Sequence, residues 1–422
     1  MMTWQRLRPL RVRFLMLLAV LGPGIITANV DNDAGGITTY SVAGAHYGYA
    51  LLWLMPLLAV ALIVVQEMSA RLGVVTGKGL GSLIREVMGV RLAAVILGIL
   101  MLANLANTVS EFAGVAASME IFGVSKYVSV PLAAAGVWLL IVKGSYRRVE
   151  RVFLAASALY LTYVVSGVLA HPDWSQVVQA TLHPSFQLEA GYVILMVTII
   201  GTTIAPWMQF YQQSSVADKG LRVSEVAYER LDVVVGALFA IFVASFITIA
   251  CAATLYQHGL SIETAQDAAL ALRPLAGPYA SALFGLGLLN ASVFAAAILP
   301  LSTAYVVCEA FGWEAGVGRE LSQAPVFFAI YTALIGLGAG VILLPIRSLV
   351  QAMMASQTLN GVLLPVILVV MLLLINNRRL MGRSVNGRLF NVLAWLIVAA
   401  LVALTLVLVL MTLLAGPLGI SE

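Results

Sequence analysis

Val30-Asp31-Asn32-Asp33-Ala34-Gly35-Gly36-Ile37 interrupts an apolar run that starts near residue 14 and resumes through Thr38-Thr39-Tyr40 to about residue 45. Glycine frees the backbone, and a carboxylate near the centre of a bilayer costs roughly 2.5 to 3.5 kcal/mol on insertion scales. A helix that keeps two acids, an amide and two glycines at its middle is expected to open there, with something compensating the charge.

The rest of the chain makes that middle a membrane interior. Hydrophobic residues form 61% of the 422, 10% are charged, and mean hydropathy is +1.00, so lipid must solvate most of the surface. A soluble protein is excluded on that ground. Apolar runs of about 17 to 25 residues recur, each long enough to cross the hydrocarbon as a helix, whereas strand barrels would show short alternating segments. Eleven spans are expected, at about 14–45, 50–70, 92–122, 128–142, 152–170, 190–213, 231–256, 276–308, 324–346, 348–376 and 389–415. The longest loops, about 171–189 and 257–275, are too short for a soluble domain, so residues 1–422 read as one all-α transmembrane domain.

Cations test that count, because Lys and Arg collect in alternate, cytoplasmic loops. Of 23 such residues, only Lys126, Arg273 and Arg347 fall on one side; the others share the opposite side. The N-terminus is therefore expected inside and, after an odd number of crossings, the C-terminus outside, in a cell inner membrane. The net charge of +4 reports this topology and gives no separate support for a nucleic-acid partner. Arg6 to Arg13 before an apolar run also resembles a secretory signal, but no small-x-small cleavage site precedes the acids, so the first span is expected to stay. Cys251 and Cys308 fall inside spans and read as small packing residues.

A second span breaks in the same manner. Gly201-Thr202-Thr203-Ile204-Ala205-Pro206-Trp207 interrupts the sixth run, which resumes with Gln209, Gln212 and Gln213. Pro206 cannot sit inside a continuous helix, so each break exposes backbone carbonyls near the midplane. The breaks lie five spans apart, an odd number, so the second unit runs opposite to the first. This is an inverted repeat, about 14–170 and 190–376, with an eleventh helix at about 389–415. Both first half-helices end at the midplane with partial negative charge, which suits a cation.

Asp33 is expected to meet that cation, unless it only caps the second half-helix; for Asp31 both roles stay open. Glu67 and Asp232 lie near span ends, where snorkelling to water is expected. Glu111 sits deeper, in a polar string with Asn104, Asn107, Thr108 and Ser110, and reads either as a pathway residue or as an interhelical hydrogen bond. His46, His171, His183 and His258 all fall in outer loops, so no imidazole serves a proton relay or a soft-metal site at the breaks. Carboxylate, amide, hydroxyl, carbonyl and water remain, a hard-oxygen set for Mg²⁺, Ca²⁺ or Mn²⁺.

With these motifs the chain resembles the Nramp divalent-metal transporters. Ala70-Arg71-Leu72-Gly73-Val74-Val75-Thr76-Gly77-Lys78 resembles that family's most recognisable stretch. Gly22-Pro23-Gly24 precedes Asp33-Ala34-Gly35-Gly36 as it precedes the family's Asp-Pro-Gly-Asn; Gly201 to Trp207 is similar to Gly-Ala-Thr-Ile-Met-Pro-His; and Ser356-Gln357 with Pro365 matches the tenth span. The resemblance implies a LeuT-like fold and metal transport. It also exposes departures: Gly36 stands for the family's Asn, Ala205 for its Met, Trp207 for its His, and Thr108 where many members carry a proton-accepting Asp, while Glu111 fits the neighbouring acid.

Losing the thioether removes the soft ligand that favours Mn²⁺ and Fe²⁺, and losing the Asn and Met side chains leaves room for an ion that keeps its waters, as Mg²⁺ does. The pattern is similar to the Nramp-related magnesium transporters, a branch that implies Mg²⁺ and Mn²⁺ transport without obligatory proton coupling. On this reading Asp33 is the principal ligand, Asp31 strengthens the field, and the Val30 and Thr202 carbonyls, the Thr203 hydroxyl and Gln357 bind the water shell. Gly36, Ala205, Pro206 and Trp207 shape the pocket, and Glu111, Thr108 and Asn360 line a pathway. No cofactor or obligate protein partner is implied; the partners are the divalent cation and the bilayer. The rivals are a proton-coupled Mn²⁺/Fe²⁺ transporter of the ordinary type, a cation channel or non-transporting sensor, and an intramembrane enzyme, for which no zinc-binding His pair or Ser and Lys arrangement is present.

Overall fold

A computed structural model describes residues 32–143, 157–221, 223–317 and 319–418. Among the described residues, nine helical segments are long and apolar enough to cross a membrane. Two further segments, α1 (Ala34–Tyr47) and α6 (Leu161–Leu169), fall where the first and fifth spans are expected, and the earlier residues of those two expected spans lie outside the described residues. The described segments follow the order expected from hydropathy. Val30, Asp31 and the Gly22-Pro23-Gly24 motif lie outside the described residues.

Between α1 and α6 run α2 (Leu54–Thr76), the short amphipathic α3 (Leu80–Met88), α4 (Val90–Ile121) and α5 (Lys126–Lys143). After α6 a surface helix, α7 (Trp174–Leu182), fills what sequence treats as loop. The second unit comprises α8 (Ala190–Thr203), α9 (Pro206–Asp218), α10 (Val226–Thr254), α11 (Ala280–Phe311), α12 (Pro325–Leu343) and α13 (Leu349–Ile375). The last helix, α14 (Arg388–Leu418), lies largely exposed at the periphery.

Lipid supplies no hydrophobic drive between helices, so small residues must let backbones meet. A Cβ on Gly201 would meet the Gln357 carbonyl and the Gly361 amide, and one on Gly361 would meet the Val197 carbonyl; α8 and α13 therefore pack backbone to backbone. The recognisable stretch after the second span has the same kind of explanation. Gly73 allows the Gln213 carbonyl of α9 to approach α2, and Gly77 ends α2 with a left-handed φ of 62°, its N–H bonded to the Gly73 carbonyl.

Snorkelling of Glu67 and Asp232 is corrected. Both are buried, and Glu67 is met by Arg71 at 2.9 Å and Arg230 at 2.7 Å, an ion pair that replaces water. Arg71 also donates to the Ser384 carbonyl and the Asn386 side chain, tying α2 to the segment before α14. Glu229 escapes the hydropathy reading because its span was placed from 231, whereas α10 starts at Val226 and buries it.

Candidate functional site

The first site element is the N-terminus of α1. Asp33 is extended (φ −71°, ψ −174°) and its Oδ1 accepts the Gly36 N–H at 2.7 Å. Capping thus uses one oxygen of two, so capping and cation binding are compatible roles. Both Asp33 and Gly36 are buried. Glu111 of α4 accepts the Ala34 N–H at 3.4 Å through Oε2, and its carboxyl adjoins that of Asp33. Its Oε1 is buried without a hydrogen-bond partner. The approach is possible because Gly114, one turn along α4, has no side chain to strike Ala34 and Ser292.

The second element is the break between α8 and α9. Ile204 (φ −128°, ψ 64°) and Ala205 (φ −69°, ψ 143°) leave the helix, and Pro206 opens α9, where its missing N–H leaves no bond unmade. The Gln209 amide nitrogen, placed by its hydrogen-bond partners, reaches the Ala205 carbonyl at 2.7 Å and the Pro206 carbonyl at 2.8 Å. Trp207 is 1% exposed and sets its ring edge-on to Tyr211 at 6.0 Å, so an indole fills the position where the resemblance placed an imidazole.

The two threonines before the break differ from expectation. The Thr203 hydroxyl, expected to face the ion's water shell, donates to the Ile199 carbonyl at 2.7 Å and pairs with the Tyr40 hydroxyl at 2.8 Å. The Thr202 hydroxyl, which sequence did not single out, is buried without a hydrogen-bond partner. Tyr40 was missed as well. It lies two turns after Asp33 on the same helical face, the one signal that pointed to it.

The third element is α13. Gln357 lies against Gly35, whose missing Cβ makes the contact possible. Its Oε1 accepts from Asn360, which exchanges two hydrogen bonds with Asn107 of α4. Thr108, beside Asn107, donates to the Asn104 carbonyl at 2.7 Å and packs on Gly338 of α12, while Asn104 donates to Thr303 of α11 at 2.6 Å. Asp33, Glu111, Gly36, Gln357 and Asn360 therefore converge at the start of α1. Thr202, Thr203, Ala205, Pro206 and Trp207 form the facing break, joined to α1 through Tyr40.

Toward one end of the bundle a cavity of about 420 Å³ opens, lined by Ala117, Glu120, Lys126, Glu263, Arg347 and Val350 among others. Ala117 is six residues from Glu111, about 9 Å along α4. Near this stretch Gly114 packs against Ala34 and Ser292, and the Thr38 hydroxyl of α1 donates to the Met353 sulfur of α13 at 3.5 Å.

The break between α8 and α9 and the buried polar start of α1 that it meets belong to a membrane transporter fold of the LeuT-like type. The sequence places it further: residues 24–411 match the family model described as natural resistance-associated macrophage protein-like, and the chain belongs to the Nramp family. The divalent metal cation transporter MntH of Bacillus subtilis is 26% identical over 409 residues, covering 94% of this chain and 93% of that protein. MntH of Ralstonia nicotianae is 30% identical over 407 residues, covering 91% and 89%. Among solved structures, a manganese transporter of Eremococcus coleocola superposes with a TM-score of 0.76 at 23% identity, covering 96% of this chain and 89% of that one.

Proposed function

We propose that this chain carries Mg²⁺, with Mn²⁺ as a second substrate, across a cell inner membrane by alternating access, without obligatory proton coupling and without covalent chemistry. The relatives named as divalent-metal transporters support the general activity. The finer reading rests on one observation: the break carries Ala205 and Gly36 where soft or amide side chains are expected, beside a buried carboxylate and a ladder of amides.

Asp33 is the principal ligand, using the oxygen that the helix cap leaves. Asp31 strengthens the field, and the Val30 and Thr202 carbonyls with the Thr202 hydroxyl and Gln357 receive the ion's water shell. Gly36 and Ala205 leave room for those waters, and Trp207 closes the inner wall without titrating. Mg²⁺ dehydrates reluctantly, so a roomy site of hard acceptors suits it better than a tight one containing sulfur. The polar run beyond Glu111 consists of Asn104, Asn107, Thr108 and Asn360, none of which titrates. The cavity at Glu120 and Glu263 serves as the outer vestibule, with the N-terminus cytoplasmic and the C-terminus outside.

One observation favours the proton-coupled alternative: the adjoining Asp33 and Glu111 carboxyls can share a proton. Purified protein in proteoliposomes, loaded with a Mg²⁺ indicator or a pH-sensitive dye, separates the two. Saturable Mg²⁺ uptake with no metal-driven acidification of the lumen is expected. Acidification that tracks metal uptake would establish the coupled reading instead, and single-channel currents would replace a carrier with a channel.

A further inference from the structure

We propose that Asn360 and Asn107 are positioning residues that set which end of the Gln357 amide faces the transported cation, switching it to the carbonyl oxygen when the ion is bound. This rests on the reading of the helix breaks as a cation site. Three hydrogen bonds join the three amides. Asn107 Nδ2 donates to Asn360 Oδ1 at 3.2 Å, and Asn360 Nδ2 donates to Asn107 Oδ1 at 2.8 Å and to Gln357 Oε1 at 2.9 Å. All three side chains are at most 1% exposed. The remaining Gln357 nitrogen has no hydrogen-bond partner and lies against Gly35, two residues beyond Asp33.

The oxygen and nitrogen of a primary amide exchange places when the group turns over. If all three amides turn together, every bond survives with its donor and acceptor exchanged: Gln357 and Asn107 then donate to the Asn360 oxygen, and Asn360 donates to the Asn107 oxygen. If only one or two turn, N–H meets N–H or C=O meets C=O. The network therefore has two self-consistent settings, equal in internal hydrogen bonds and opposite in what they present to Gly35. One presents an N–H, the other a carbonyl oxygen.

A divalent ion beside Asp33, and the waters it polarises into strong donors, are met by an oxygen and repelled by an N–H. Loading therefore favours the carbonyl setting, and a bare Asp33 carboxylate favours the N–H setting. A lone glutamine would turn freely; Asn360 makes the turn all-or-none and Asn107 holds Asn360 to either setting. Affinity for the cation is thus set partly on α4, by a residue that does not touch the ion.

The test is a double-mutant cycle in proteoliposomes, with uptake of Mg²⁺ and of Mn²⁺ measured for the wild type, Asn360→Leu, Gln357→Leu and the double variant. Asn360→Leu should raise KM about tenfold with kcat held within about twofold, and should add nothing in the Gln357→Leu background. An unchanged KM, or the same rise in both backgrounds, would overturn the proposal, because Asn360 would then act through packing alone. Asn107→Leu should raise KM by a smaller factor, and with Asn107→Ser it carries the same cycle should Asn360→Leu fail to assemble. A wild type that moves Mn²⁺ but not Mg²⁺ overturns the magnesium assignment and leaves the cycle to be decided with Mn²⁺; a wild type that moves neither overturns both.

Discussion

The Tyr40 hydroxyl lies 2.8 Å from that of Thr203, and through this bond α1 is tied to α8, the half-helix before the break at Ile204 and Ala205. Thr203 keeps its bond to the Ile199 carbonyl whatever happens at Tyr40, so Tyr40→Phe removes the tie and leaves that bond in place. It should cost about 1 kcal/mol, the usual net worth of a buried hydrogen bond. Thermal unfolding in detergent measures that loss, and uptake assays should show a changed kcat at nearly constant KM.

Asp33 has an observed capping bond and a proposed role as cation ligand, which substitution can separate. Asn at this position still accepts the Gly36 N–H but carries no charge, whereas Ala loses the cap as well, a loss of about 1 kcal/mol. Asp33→Asn should therefore fold like the wild type and lose Mg²⁺ uptake, and Asp33→Ala should lose both uptake and some stability. Retained uptake by the folded Asn variant would remove Asp33 from the ligand set.

Ala205 is buried at the break between α8 and α9, where a longer thioether would enter the proposed cation site. Ala205→Met should shift preference toward Mn²⁺ by about tenfold, since sulfur favours softer ions and also displaces water. Competition uptake of Mn²⁺ against excess Mg²⁺ reads the ratio directly.

Glu67 holds two arginines of different exposure, with Arg71 buried and Arg230 half in water. Removing a partner from a buried pair typically costs about 3 to 5 kcal/mol, because the surviving charge stays desolvated. The partial exposure of Arg230 and the other acceptors of Arg71 place Glu67→Gln below that range, at about 2 kcal/mol. The loss should appear as a lower unfolding midpoint in detergent without a change in Mg²⁺ to Mn²⁺ preference.

What sequence alone determined is local in origin. Apolar runs of membrane length set the helix order, and Gly, Pro and acidic residues inside two of them marked Asp33 and Ala205-Pro206, since a break is a property of the few residues that make it. The resemblance to the Nramp family, rather than the local pattern, identified the amide missing at position 36, the thioether missing at 205 and the imidazole missing at 207. Tertiary structure alone decided how the polar groups between these points are spent. Asn107 and Asn360 are 253 residues apart in the chain, Tyr40 and Thr203 are 163 apart, and Arg71 and Asn386 are 315 apart. No periodicity reports such pairings, because they arise only when helices distant in sequence are packed by small residues such as Gly35, Gly114 and Gly201. Packing is also why the Thr203 hydroxyl is occupied while that of Thr202 is not, a difference invisible in two adjacent identical residues.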